Sequence, residues 1–233
     1  MDQRKWNDTQ SRLEDARDAL LGFAIANGRL PCPANSTSAG AEVRQATGVC
    51  GTAGNAYDYY GGVVAGVTYG LLPAVTVGYQ PVDSQGFALD AWGNRIRHAV
   101  SQITTPPFAA NFTNATNVKT NGVSVLPYDL VICASATGIS PGATPPSCNT
   151  APSVTSQKTV VAILYSPGKN GLGQVARGLD ELANGNLAGN NHSIYISHTP
   201  TPSTVANGEF DDQLMWIPIG TLYAKLVAAN WLP

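Results

Sequence analysis

The feature that most constrains the fold of this sequence is a long amphipathic segment that ends abruptly at Asn27-Gly28. Along it, apolar residues recur at steps of seven, three, four and three, which places them on one helical face. The spacing predicts a helix over residues 3–27, and its apolar stripe widens towards the end. We therefore expect the second half of the helix to be buried on more sides than the first. The face consists of Trp6, Leu13, Ala16, Leu20 and Phe23.

Residues that cannot continue a helix follow directly. Gly28 accepts the left-handed backbone that terminates helices, and Pro31 and Pro33 prevent the helix from resuming. A helix that begins thinly amphipathic and ends deeply buried is typical of the lower half of a longer rod. We therefore expect the helix to continue upstream of Met1 in the native protein.

The composition describes a chain with a core, many loops and little charge. Hydrophobic residues make up 43% of the 233 residues, enough to fill the core of one large domain. Charged residues make up only 12%, against roughly 25% in an average globular protein. The formal net charge of −2 provides no global attraction to nucleic acid or anionic lipid. Low charge with polar loops favours a secreted or cell-surface protein.

The four cysteines suggest disulfide bonds. Cys32, Cys50, Cys133 and Cys148 form no CxxC pair, and no histidine lies near them at zinc-finger spacing. Of the three possible pairings, the simplest is two local loops, Cys32–Cys50 and Cys133–Cys148. Each bond would stabilise the fold by about 3 kcal/mol. The alternative is four buried free thiols; disulfides would imply an oxidising compartment.

The rest of the chain predicts strands followed by a short helix. The run TVVAILY at 159–165 is continuously apolar, which predicts a central strand covered on both faces. We expect an α+β fold, with the long N-terminal helix packed on an antiparallel β-sheet with long loops. Residues 1–233 would form one domain: a helix stem at 3–27, a helix-to-sheet loop at 28–60, sheet and loops at 61–218, and a C-terminal helix at 220–231. The expected strands are residues 63–69, 94–100, 128–133, 159–165, 193–197 and 213–217.

No catalytic motif stands out, and we expect a protein that is not an enzyme. His98 alternates with apolar residues, as a packed histidine does. His192 and His198 are six residues apart, roughly 20 Å along a strand, and cannot share one metal within it. The segment SPGKNG lacks the upstream glycine and the Ser/Thr of a phosphate loop.

A nucleic-acid groove is not expected either. Arg95 and Arg97 alternate along one predicted strand, a pattern typical of a solvated strand face. Binding to nucleic acid needs a clustered basic stripe, usually with stacking aromatics, and the composition supplies none.

The segment DAWGN at 90–94 predicts a tight turn. Asp90 and Asn94 can bond backbone groups, and Gly93 can adopt the unusual backbone angle that such a turn requires. We expect Trp92 to pack beneath the turn.

Several short segments, spread in order along the chain, resemble type IV pilins and type II secretion pseudopilins. RLEDARDALLGFAIANGRLPCPA resembles the helix-to-loop segment of prepilin-like proteins, and DAWGNRIRHAVS resembles the DPWGNPY segment of major pseudopilins. LYSPGKNG is similar to the SLGADG loop of that family. FDDQLMWIP and LVAANWLP resemble its last strand and last turn.

The resemblance implies a structural minor pilin or pseudopilin subunit of a type IV pilus or type II secretion filament. Such a bacterial subunit resides in the inner membrane and periplasm, and then joins a filament or the cell surface. Its partners are other pilin or pseudopilin subunits, and an upstream helix anchors it in the membrane. The residues expected to carry helix packing are Trp6, Leu13, Leu20 and Phe23. The alternative is a surface-exposed binding module: a filament-tip adhesin, or a substrate or DNA receptor.

The resemblance also implies a calcium site. In major secretion pseudopilins a loop of this region binds calcium through carboxylates and backbone carbonyls, so Asp211, Asp212 and Asn170 are the candidate ligands. Lys169-Asn170-Gly171 stands where the family shows Ala-Asp-Gly, and Asn170 keeps an oxygen donor there. The alternative is that the Asp211 and Asp212 carboxylates hold the loop by hydrogen bonds.

Overall fold

The computed structural model describes residues 3–52, 55–102, 112–171, 178–186 and 192–232. These residues form a mixed α+β fold with a long N-terminal helix, as the sequence predicts. The helices are α1 (Gln3–Asn27), α2 (Ala56–Tyr60), α3 (Ala74–Val77), α4 (Ala115–Asn121), α5 (Leu179–Gly185) and α6 (Ile219–Ala228), with a 3-10 turn at Gly122–Ser124. The strands are β1 (Gly62–Val64), β2 (Val67–Tyr69), β3 (Arg97–Val100), β4 (Val131–Cys133), β5 (Val160–Ser166), β6 (Ile194–Ile196) and β7 (Gln213–Pro218).

Helix α1 lies on an antiparallel sheet with the strand order β3-β5-β7. It contacts β5 and β7 with one face and also packs against α3 and α6. Leu13 and Leu20 have no exposed surface, so the centre of the stripe packs as the apolar spacing predicts. The buried residues of α1 are Thr9, Leu13, Ala16, Leu20, Leu21 and Ala24.

The two ends of the predicted stripe lie outside this buried face. Trp6 is in line with the stripe, but it precedes Thr9, the first buried residue of α1, and is only half-buried. Phe23 is turned away from the stripe centre and is half-buried, with the Arg29 guanidinium 4.9 Å from its ring centroid. The first turns of α1 therefore extend beyond the core.

Strand β5 is the centre of the structure. All seven of its residues are buried, which explains why its sequence is continuously apolar. It pairs antiparallel with β3, where His98 faces Leu164, and with β7, where Trp216 faces Ile163. The predicted central strand is thereby confirmed.

The predicted strands and their pairing need correction in several places. The strands expected at 94–100 and 128–133 begin only at Arg97 and Val131. The run at 63–69 is a hairpin rather than one strand, because Ala65 and Gly66 both adopt positive φ, at 49° and 79°, and reverse the chain between β1 and β2. Strands β4 and β6 pair in parallel, outside the three-stranded sheet. The described residues thus form three small sheets rather than a single antiparallel one.

The helical boundaries also differ in places. The predicted loop at 28–60 contains α2 at its end. The C-terminal helix ends at Ala228 rather than at residue 231, and Asn230 then adopts a φ of 60°. No helix in the described ranges combines the length and hydropathy needed to cross a bilayer.

The end of α1 is closed by the C-terminal segment of the chain. Gly28 has a φ of 66°, and a Cβ atom at this position would lie 2.5 Å from the Trp231 ring. Trp231 also donates its indole N–H to the Ile25 carbonyl at 2.8 Å. Glycine is therefore required at position 28 by both backbone conformation and packing.

Both disulfides are present as local loops. Cys32 bonds Cys50, 18 residues away, and Cys133 bonds Cys148, 15 residues away. The first bond fixes the loop that follows α1, and the second fixes the segment that follows β4.

Replacing Leu20 with alanine tests the packing of α1 on the sheet. The Leu20→Ala variant should lose about 2–5 kcal/mol of unfolding free energy, because its side chain is fully buried. Ile25→Ala is the matched control, since Ile25 is 39% exposed, and should lose less than about 1 kcal/mol. Equal losses in chemical denaturation would contradict the described packing.

Candidate metal centre

A cluster of buried acidic residues lies where three segments of the chain meet. Glu181 comes from α5, and Asp211 and Asp212 directly precede β7. The carboxylate oxygens of these three residues lie within 4.8 Å of one another, and all three residues are buried. Asn170, in the loop after β5, joins them by donating its side-chain N–H to Glu181 Oε2 at 2.8 Å. We call these four residues the acidic centre.

The acidic centre is held by hydrogen bonds from backbone and amide groups. Glu181 Oε1 accepts the Asp211 backbone N–H at 2.9 Å, which ties α5 to the start of β7. Asp211 Oδ2 accepts the Lys169 N–H at 3.1 Å, and Asp212 Oδ2 accepts the Asn184 amide at 2.9 Å. These bonds agree with the alternative in which the carboxylates hold the loop.

Buried side-chain oxygens of the acidic centre nevertheless lack a hydrogen bond from the described residues. Asp211 Oδ1 and Asn170 Oδ1 are buried and have no donor in the described structure. A buried polar atom without a partner costs free energy, so such atoms call for an explanation. A bound cation would satisfy both oxygens at once.

Burial and charge together perturb one carboxyl group strongly. Desolvation, and then the neighbouring Glu181 carboxylate, raise the pKa of Asp211 from its usual 3.8 to about 7. A cation at this position would offset the repulsion from Glu181, the second of these two causes of the raised pKa.

The donor set matches a hard cation. All four side chains offer oxygen, whereas zinc and copper favour nitrogen or sulfur ligands. Calcium takes six to eight oxygen ligands from carboxylates, amides, backbone carbonyls and waters. The sequence candidates Asp211, Asp212 and Asn170 thus lie together, and their side-chain oxygens are of the type that calcium takes.

Glu181 is absent from the candidates drawn from the sequence. It lies 30 residues before Asp211 and on a short helix that the apolar pattern does not reveal. The signal that could have found it is the acidic pair Asp180-Glu181 between two leucines, in a chain with few charges. Asp180 serves a different loop: it accepts the Ala136 N–H at 2.5 Å and lies 3.2 Å from His198 Nε2.

The DAWGN turn contacts the loop that carries Asn170 and helps to hold it in position. Asp90 Oδ1 accepts the backbone N–H groups of Trp92 and Asn94 at 2.9 and 2.8 Å, as a tight turn requires. Asn94 donates to the Gly168 carbonyl at 2.6 Å and so fixes the loop that carries Asn170. Trp92 does not pack beneath the turn as expected: it is half-buried and lines a surface cleft.

Gly168 is a position in this loop where glycine is needed. Gly168 has a φ of 64°, and a Cβ atom there would lie 1.8 Å from Asp211 Oδ1. Because Gly168 has no side chain, the backbone of the loop can lie directly beside the Asp211 carboxylate.

Arg95, Arg97, His98 and His192 lie away from the acidic centre. Arg97 is 2% exposed and donates to the Tyr69 carbonyl, so the prediction of a solvated face fails for it, while Arg95 pairs with Asp83 at 2.8 Å. His98 is fully buried in β3, and burial lowers its pKa to about 4, which keeps it neutral. His192 accepts the Ile194 N–H through Nδ1.

No family model matches this chain, and neither the curated proteins nor the solved structures contain a match to it.

The raised pKa of Asp211 predicts a dependence of stability on pH. The folded state holds this proton more tightly than the unfolded state, so stability falls as the pH rises from about 4 to about 7. Neutral His98 acts in the opposite direction over this range, so the test compares variants by the change in denaturation midpoint from pH 5.5 to pH 8 in chelator. Relative to wild type, Asp211→Asn should shift this change towards higher stability at pH 8, and Asp18→Asn, exposed on α1, should leave it as in wild type. The same pH dependence in wild type and Asp211→Asn would contradict the raised pKa.

Proposed function

We propose that this chain is the head of a structural subunit of a type IV pilus or type II secretion filament. The observation that carries the proposal is the placement of α1: one of its faces is buried from Thr9 to Ala24, while residues 3–8 precede this buried stretch. This geometry suits a helix that leaves the head and enters a filament stem. The sequence resemblance to pilins and pseudopilins supports the same role.

In the proposed assembly, α1 continues an apolar helix that holds the subunit in the inner membrane before assembly. The helix then packs with neighbouring subunits in a helical array, a repeated contact between unlike surfaces. Trp6 is suited to this contact because it prolongs the buried stripe beyond the core and stays half-exposed. The two disulfides brace the head against mechanical stress.

Trp6→Ala tests this assembly role in the full-length protein in its own cells. The isolated head should keep its stability within about 1 kcal/mol, since Trp6 lies outside the core. The fraction of subunit recovered in sheared filaments or in cross-linked oligomers should fall. Trp92→Ala is the matched control and should assemble normally. Normal assembly of Trp6→Ala would contradict the proposed contact.

We further propose that the acidic centre binds one calcium ion. Glu181, Asp211, Asp212 and Asn170 would hold it. Calcium supplies positive charge that offsets carboxylate repulsion and joins α5, β7 and the loop after β5. Its role in the head would be structural, since the ligands connect three segments rather than face a substrate.

Calorimetric titration with calcium tests the site. We expect one ion per chain and a higher melting temperature; at 100 times the dissociation constant the gain in stability is about 2.7 kcal/mol. Glu181→Gln and Asp211→Asn should each weaken binding at least about tenfold, because each removes one anionic oxygen donor. Asp18→Asn is the control. Absence of heat on calcium addition, with unchanged melting in chelator, would rule out the site.

A further inference from the structure

A cleft of about 300 Å³ opens beside the acidic centre, and its walls come from three parts of the chain. The DAWGN turn contributes Trp92, the loop after β5 contributes Lys169, and the segment after β6 contributes the remaining walls. We call it the Trp92 cleft. The residues that line it include Trp92, Lys169, Pro200, Thr201, Pro202 and Glu209.

Hydrogen bonds and packing hold the backbone around the Trp92 cleft. The Trp92 backbone is held by Asp90, whose second oxygen accepts the Ser166 hydroxyl at 2.6 Å. On the other side, Thr201 and Phe210 exchange two backbone hydrogen bonds of 3.0 Å. Phe210 is buried and stacks on His198 with ring centroids 3.9 Å apart. A preformed cleft loses little conformational entropy when it binds a ligand.

The chemistry of the cleft combines flat apolar surfaces with one positive and one negative group. Trp92 exposes part of its indole, and Pro200 and Pro202 add rigid apolar surface. Neither Lys169 nor Glu209 forms an ion pair with any residue of the described ranges. The ammonium group is a donor only and the carboxylate an acceptor only.

The combination of one ammonium group with nearby carboxylates favours a ligand without net charge. An anion drawn to Lys169 would meet the carboxylates of Glu209 and Asp211, and a cation drawn to Glu209 would meet Lys169. A neutral ligand with many hydroxyl groups satisfies both, since each hydroxyl can accept from the ammonium or donate to the carboxylate. The indole suits the face of a sugar ring, which presents C–H groups.

We propose that the Trp92 cleft binds a neutral saccharide of one or two sugar units, with one ring stacked on Trp92. Lys169 donates to one hydroxyl, and Glu209 accepts from another. The volume lies at the lower end of the range for small-molecule sites, which fits a ligand of this size. This inference goes beyond filament assembly and does not depend on it.

The test uses the 233-residue chain and saturation-transfer NMR. The probes are the methyl glycosides of glucose, galactose, mannose and N-acetylglucosamine, together with lactose and chitobiose. We expect at least one to bind, with the strongest transfer to the C–H protons of one ring face and a change in tryptophan fluorescence. Free glycine and a dipeptide test a zwitterionic ligand instead.

Variants separate stacking on Trp92 from nonspecific binding. Trp92→Ala should weaken saccharide binding at least about tenfold, Trp92→Phe should keep part of it, and Trp6→Ala should leave it unchanged. Glu209→Gln should weaken binding while retaining the fold, as judged by melting temperature. The proposal is overturned if no saccharide of the panel binds, if only the zwitterions bind, or if Trp92→Ala binds like wild type.

Discussion

The packing of α1 on β5 is the interaction on which the rest of this structure depends. Strand β5 is buried along its whole length, and α1 covers it with a stripe centred on Leu13 and Leu20. Because β5 also orders β3 and β7, the acidic centre at the start of β7 takes its position from the same packing. The C-terminal Trp231 closes the end of α1, so both ends of the chain contribute to one core.

The acidic centre is the second feature that affects folding, because its negative charges oppose the folded state. Three carboxylates within 4.8 Å in a buried space repel one another, and the hydrogen bonds around them leave Asp211 Oδ1 without a donor. A bound cation would offset this repulsion and link the segments that carry the carboxylates. The Trp92 cleft also includes Lys169, from the loop after β5 that carries Asn170. The conformation of this loop therefore affects both the acidic centre and the cleft.

The elements set by local periodicity were the predictable ones. The apolar stripe of α1 and the apolar run of β5 can each be recognised from neighbouring residues alone. Both elements form where the sequence predicts them. The parallel pairing of β4 with β6 depends on contacts about 60 residues apart, and Glu181 reaches the acidic centre only through a short helix without a strong pattern. The exposure of the Trp92 side chain could not be predicted. The turn that carries Trp92 is formed by neighbouring residues, but its exposure depends on loops that are distant in the sequence.

The central claim, that this chain is a filament subunit built on α1, is tested most directly by the mature N-terminus of the native protein. The protein can be isolated from the envelope of its own cells and its N-terminal peptide identified by mass spectrometry. The account predicts a run of about 20 apolar residues preceding α1, with a methylated N-terminal amine. A mature chain that begins close to Gln3, with no apolar segment before it, would contradict the account.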